Sequence, residues 1–175
     1  MIVNDESNQA PKLTVTLDSF VRRVGNVVAY LSLVLIVAIL IQVILRYFFG
    51  KGFVALEELQ WHLYSVGFLF GLSYCVVVDA HTRLDLLHRK LSLRTKELFE
   101  FFGLLFLVMP LIVCLFIHSL GFVESAWRVG EASPSPLGLP WRWAIKSMIP
   151  ISMFLLGVAS IARMIRAAVI GFRKS

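Results

Sequence analysis

Four long apolar runs divide the chain, at about 24–45, 59–78, 98–122 and 143–168. Each is near the roughly 20 residues needed to cross a bilayer core. Charged residues collect at their ends, with Arg22 and Arg23 before the first run and Arg46 after it. None of the runs shows the period-two alternation of a barrel strand, and lipid leaves a non-barrel backbone only the helix. The pattern predicts an all-α membrane protein with four transmembrane helices arranged as two hairpins. Flanking it are an N-terminal tail over 1–17 and a short C-terminal tail over 171–175, with the helical domain between them at 18–170. The fourth run has the shortest charge-free core, Ser147 to Ala162. Lys146 and Arg163 are therefore expected to reach out to opposite interfaces.

Composition agrees: 58% of the residues are hydrophobic and only 16% charged, too little polar surface for a soluble domain of this length. The net charge of +6 does not suggest nucleic acid, because the basic residues stand in blocks beside apolar runs, as lipid headgroups and the orientation rule require. Of the 17 Lys and Arg residues, only Arg46, Lys51, Arg128, Arg142 and Lys146 fall on one side. The others fall at both termini and in the middle loop, which are therefore expected to be cytoplasmic. Trp61, Trp127, Trp141 and Trp143 all fall at the opposite ends of the runs, where indoles suit headgroup level. The N-terminus carries Asp5, Glu6 and Pro11, unlike a signal peptide. Cys75 and Cys114 lie inside apolar runs and read as packing residues.

Several polar clusters are candidates for function. Arg46, Glu57 and Glu58 sit where the first two runs meet across Gly50 and Gly52. A carboxylate pair beside an arginine is an ion or proton site, or a salt bridge pinning the hairpin. With no further acid deep in a run, the bridge is the reading adopted. Glu58 and His62, and likewise Gln42 and Arg46, are spaced four apart and can face each other on a helix. Gly67 and Gly71 form a G-x-x-x-G with Cys75 on the same face, which suits close helix–helix approach. The second run is thus expected to be the most protein-enclosed helix, within this chain or against a partner.

In the middle loop, Leu84, Leu87 and Leu91 repeat at helical spacing. The loop is either a plain positively charged connector or, as preferred here, a short amphipathic helix lying in the interface and docking a partner. His81 and Asp85 stand four apart there, beside Arg83. The third loop carries Pro134, Pro136 and Pro140 before Trp141, unusually defined for a connector. Pro110 and Pro150 fall inside apolar runs and predict kinks. No nucleophile elbow, phosphate loop, zinc motif or cysteine cluster suggests an enzyme, and no cofactor or metal site is expected.

RYFFGKGFVALEEL from Arg46, HTRLDLL from His81, and SPSPLGLPWRW from Ser133 leading to Ile149 and Pro150 stand in an order and spacing that resemble a known family. It is the small membrane subunit, DctQ-type, of tripartite ATP-independent periplasmic (TRAP) transporters. The resemblance covers the chain from about Asp18 to Arg166. It implies a sodium-driven importer of organic acids, commonly carboxylates, in the bacterial inner membrane. The implied partners are a large permease subunit, which carries the substrate and ion sites, and a periplasmic substrate-binding protein. The small subunit would steady the permease and help dock the binding protein. That agrees with the lack of an ionisable residue at mid-membrane. A competing reading is a haem-binding four-helix anchor of an oxidoreductase, in which His62 and His118 ligate the haem from the same leaflet.

Overall fold

The computed structural model describes residues 12–78 and 93–172, and among them it is all-helical. Helix α1 spans Lys12–Phe49 and α2 spans Val54–Val78. The third span is continuous from Arg94 to Val129 and is built of α3 (Leu93–Gly103), a π turn (Leu104–Val108) and α4 (Met109–Val129). Helix α5 spans Arg142–Gly171. Four helices are thus long and apolar enough to cross a membrane. The amphipathic helix expected around Leu84–Leu91, with His81, Arg83 and Asp85, lies outside the described residues.

The helices outrun their apolar cores. At about 1.5 Å per residue, the 38 residues of α1 reach roughly 57 Å, well beyond a hydrocarbon core of about 30 Å. Its start at Lys12 falls inside the stretch expected to be a tail. Its first two turns are anchored, with Thr14 fully buried and Asp18 paired to Arg166 of α5 at 2.6 Å.

The two prolines act differently. Pro110 has no N–H to donate one turn back. The chain opens just before it, and the Met109 N–H bonds to the Leu104 carbonyl five residues earlier. Pro150 lies buried inside α5, which runs on as helix past it.

The hub is α5, which touches α1, α2, α3 and α4. Half of its apolar window (50%) is buried inside the chain, against 22% for α2 and 11% for α1 and the third span. Within this chain, then, the fourth run and not the second is the most enclosed helix. Ser152, Gly157, Ala159, Ser160, Ala162 and Ala167 are among its buried residues. Such small side chains let helices come close where lipid supplies no hydrophobic drive. The core forms where Val21 of α1 and Phe70, Val76 and Val77 of α2 meet Leu155 and Ala159 of α5. On the far side, Ile112 of α4 packs over Gly157. Gly25 lets α1 close on Tyr74 of α2, since a Cβ there would come within 2.5 Å of its ring.

Arg163 does not reach out to an interface. It turns into the bundle and meets Glu97 and Glu100 of α3. Lys146, only 15% exposed at its side chain, is likewise drawn inward, to Glu131 and over the Phe122 ring. The physical reason is that a charge at the edge of lipid gains more from a fixed opposite charge than from a long reach to water.

Candidate functional site

The turn between α1 and α2 and the loop between α4 and α5 meet at one end of the bundle, here termed the hairpin end. The other end carries Lys12, Val78, Leu93 and Gly171. At the hairpin end three side chains converge as the spacing suggests, but on one atom. Glu57 Oε1 accepts from Arg46 at 2.9 Å and from Gln42 at 3.0 Å. Gln42 and Arg46 are one turn apart on α1 and present their donors side by side to α2. A third link from α2 to α1 is Gln60, which donates to the Ala38 carbonyl at 3.1 Å. The hairpin is pinned by polar contacts, with the Arg46–Glu57 pair itself largely open to solvent or headgroups.

Glu58, next in sequence, faces another way. Its partners come from the loop after α4: Oε1 accepts from the Ser133 hydroxyl, and Oε2 from the Leu139 N–H at 2.6 Å. Both oxygens are thus engaged by the loop, rather than by His62 one turn further along α2. Gly138 makes this contact possible, because a Cβ there would stand 2.3 Å from Ser133 and 2.8 Å from Glu58 Oε1. The loop closes on itself through Ser133 N–H to Leu139 carbonyl at 3.2 Å and Gly138 N–H to Ser135 carbonyl at 3.0 Å.

The two ends of the loop are also held. Gly130 takes a left-handed conformation that caps α4, a position suited to glycine. The Arg142 N–H donates to the Glu131 carbonyl at 3.0 Å, while the Glu131 carboxylate pairs with Lys146 and lies 3.8 Å from Arg142. Trp141, after Pro140, stands at φ 61° and ψ 50°, left-handed without being glycine. That turn starts α5 and brings Trp143 edge-on to Trp127, with ring centroids 4.5 Å apart. The outer side of the loop shows Leu137 (77% exposed) and Trp141 (70%).

The remaining sequence candidates are not drawn into this site. Gly67 and Gly71 lie further along α2, and a Cβ on either would have nothing within 4 Å. Their face is open within this chain. His62 is half-buried on α2. His118 of α4 has its Nδ1 2.8 Å from the Cys114 carbonyl of its own helix.

Ser133, Gly138 and Leu139 stood in a stretch that carried the family resemblance, but sequence reasoning gave them no contact; it passed over Glu131 and, at the opposite end, Glu97, Glu100 and Asp18. One signal was present for the latter group. Glu97 and Glu100, three apart at the entry to the third span, face the same way, and an arginine inside an apolar run calls for such a partner.

Chemically, this end is a set of engaged polar groups. Its carboxylates are engaged by cations, a hydroxyl and a backbone N–H, and its loop is closed and proline-rich. No curated protein and no solved structure matches the chain. A family model does, over residues 35–169, for the DctQ component of tripartite ATP-independent periplasmic transporters. This component belongs to a transporter, not an enzyme, and so displaces the haem-anchor reading. With four apolar spans and a match over most of its length, the chain belongs to the DctQ component family of tripartite ATP-independent periplasmic transporters.

Proposed function

We propose that this chain is the small, non-catalytic membrane subunit of a sodium-coupled, binding-protein-dependent importer of organic acids, with carboxylates the substrate class. It lies in the bacterial inner membrane with both termini in the cytoplasm, so the hairpin end faces the periplasm. The one-sided distribution of Lys and Arg and the four tryptophans at the opposite ends support that orientation. The chain acts as a scaffold for the large permease subunit and helps receive the binding protein.

One observation carries the scaffold role: the open glycine face of α2. Gly67 and Gly71 have free space above them where a second backbone can approach. Glycines turned to lipid gain nothing in packing, whereas against a partner helix they allow van der Waals contact along the whole crossing. The weakly buried α1 and third span extend that apolar surface. Transport chemistry then belongs to the partner. Among the described residues the charged side chains lie toward the helix ends, many of them in internal pairs, which supports reading them as not lining a path across the membrane.

Purification of a tagged copy from native membranes in mild detergent, followed by mass spectrometry, tests this directly. A large, many-span permease should come along, and the reconstituted pair should take up a carboxylate only with binding protein and a sodium gradient. A chain that purifies alone and moves solute by itself in liposomes would overturn the proposal.

A further inference from the structure

The third span changes phase partway along. It packs chiefly against α5, and the buried residues of α4, Ile112, Ser119 and Ala126, recur every seven positions. At about 100° per residue, that spacing keeps all three within roughly 40° of one line. An unbroken helix would continue the line back through Leu105 and Leu98. Instead Leu105 is 36% exposed, and the buried side chain among those described in α3 is Glu97, at 6%.

Between the two stretches lies the π turn Leu104–Val108. A π turn closes on the fifth residue and so takes in one residue more than an α turn. Glu97 and Glu100 stand 15 and 12 residues before Ile112. In an unbroken α-helix they would lie roughly 60° and 120° to the same side of the buried line. One extra residue turns α3 back by about 100°, which sets them roughly 40° and 20° to either side of the line. There both carboxylates meet Arg163. The bulk of the turn points away from the chain, with Phe106 66% and Leu107 72% exposed. Pro110 keeps the opening where it is, because an α turn closed at that point needs an N–H that proline lacks.

We propose that Leu104–Val108 is a register device: it takes up one surplus residue of the third span, so that Glu97 and Glu100 face Arg163 while Ile112, Ser119 and Ala126 face the same helix. The inference concerns α3, α4 and α5 alone and is independent of the importer reading. Closed as an α turn with no residue lost, the same segment carries both acids about 100° round. Arg163 would then be buried without a partner, a costly state. The charge contact and the π turn therefore hold each other in place.

Single-residue deletion and insertion test this, with thermal unfolding of the full chain in mild detergent as the readout. Deletion of Leu107 together with Pro110→Ala removes the surplus and lets an α-helix close with the acids still in position. The unfolding midpoint should stay at or above the wild-type value. Deletion of Ile36, an exposed residue midway along α1, has no such turn to absorb it. That variant can keep the Asp18–Arg166 contact or the Arg46–Glu57 contact but not both, and should lose roughly 10 °C. One alanine inserted after Leu107 adds a second surplus residue and should lower the midpoint by a similar shift.

Arg163→Ala then reports on the contact itself. In the Leu107 deletion it should cost as many degrees as in the wild-type chain, and in the alanine insertion it should cost little, because the contact is already gone. A Leu107 deletion that loses as much as the Ile36 deletion, or in which Arg163→Ala no longer matters, overturns the proposal. So does an alanine insertion that keeps either the wild-type midpoint or the full cost of Arg163→Ala.

Discussion

Arg163 of α5 and Glu97 of α3 meet through two parallel hydrogen bonds, Nη1 to Oε2 at 2.9 Å and Nη2 to Oε1 at 3.1 Å. Glu100 adds a third at 2.7 Å. The side chains are only 11% exposed for Arg163, 8% for Glu97 and 22% for Glu100. Asp18 and Arg166 make a second pair beside them at 2.6 Å, and Arg94 donates to the Gly171 carbonyl at 2.9 Å. Together they tie α1, α3 and α5 at the end opposite the hairpins. Fork-to-carboxylate geometry of this kind is specific to arginine.

Removing one member of this group leaves a buried charge without its partner. Arg163→Ala should lower stability by about 3–5 kcal/mol. Replacing Arg163, Glu97 and Glu100 together with leucine or methionine should cost much less than that single change. Thermal unfolding of the detergent-solubilised chain measures both. Equal losses in the single and triple variants would contradict the pairing.

Gly25 should tolerate little. Gly25→Leu forces α1 away from Tyr74 and should destabilise by about 1–3 kcal/mol, with partial recovery in a Gly25→Leu/Tyr74→Ala double variant. The same unfolding assay decides it, and additive losses would count against direct contact.

Gly67 and Gly71 should behave in the opposite way. With nothing within 4 Å of a Cβ at either position, Gly67→Leu and Gly71→Leu should leave the isolated chain as stable as wild type or slightly more so, since glycine is a poor helix former. Recovery of the large subunit in pull-downs should fall sharply. A stable chain that still brings the permease down would place the partner elsewhere.

Trp141 is held at a backbone cost. Trp141→Gly removes the cost of a left-handed tryptophan and should stabilise the loop by up to about 1 kcal/mol. Hydrogen exchange of the Glu131–Arg142 amides would show it as slower exchange.

The Arg46–Glu57 bridge, with side chains 62% and 40% exposed, should contribute little. Arg46→Ala is expected to change stability by no more than about 1 kcal/mol, because Gln42 still donates to Glu57. A larger loss in unfolding experiments would mean that this turn is covered in the complex.

The transmembrane class and the number of spans were legible because they are local properties: an apolar run declares itself wherever it packs. The Arg46–Glu57 contact was also within reach, since a short turn brings both residues together. The helix limits were harder. The first helix begins at Lys12, among polar residues that sequence reading left to a tail, because Asp18 finds Arg166 on a helix almost at the other end of the chain.

The fourth run illustrates the same limit from the opposite side. Its charge-free core, Ser147 to Ala162, is the shortest of the four, and the small residues within and beside it are what let it become the hub. A helix enclosed by protein does not need the bulk of one facing lipid. Nor did spacing reveal that Glu58 belongs to Ser133 and Leu139 and not to His62, or that Arg163 turns inward to Glu97. The order of apolar and charged residues alone determined a four-span membrane protein, while the DctQ type rested on the particular stretches that resemble that family. Which helix lies at its centre, and which charges are paired, was decided by contacts between segments 60 to 150 residues apart, where no local period constrains the partner.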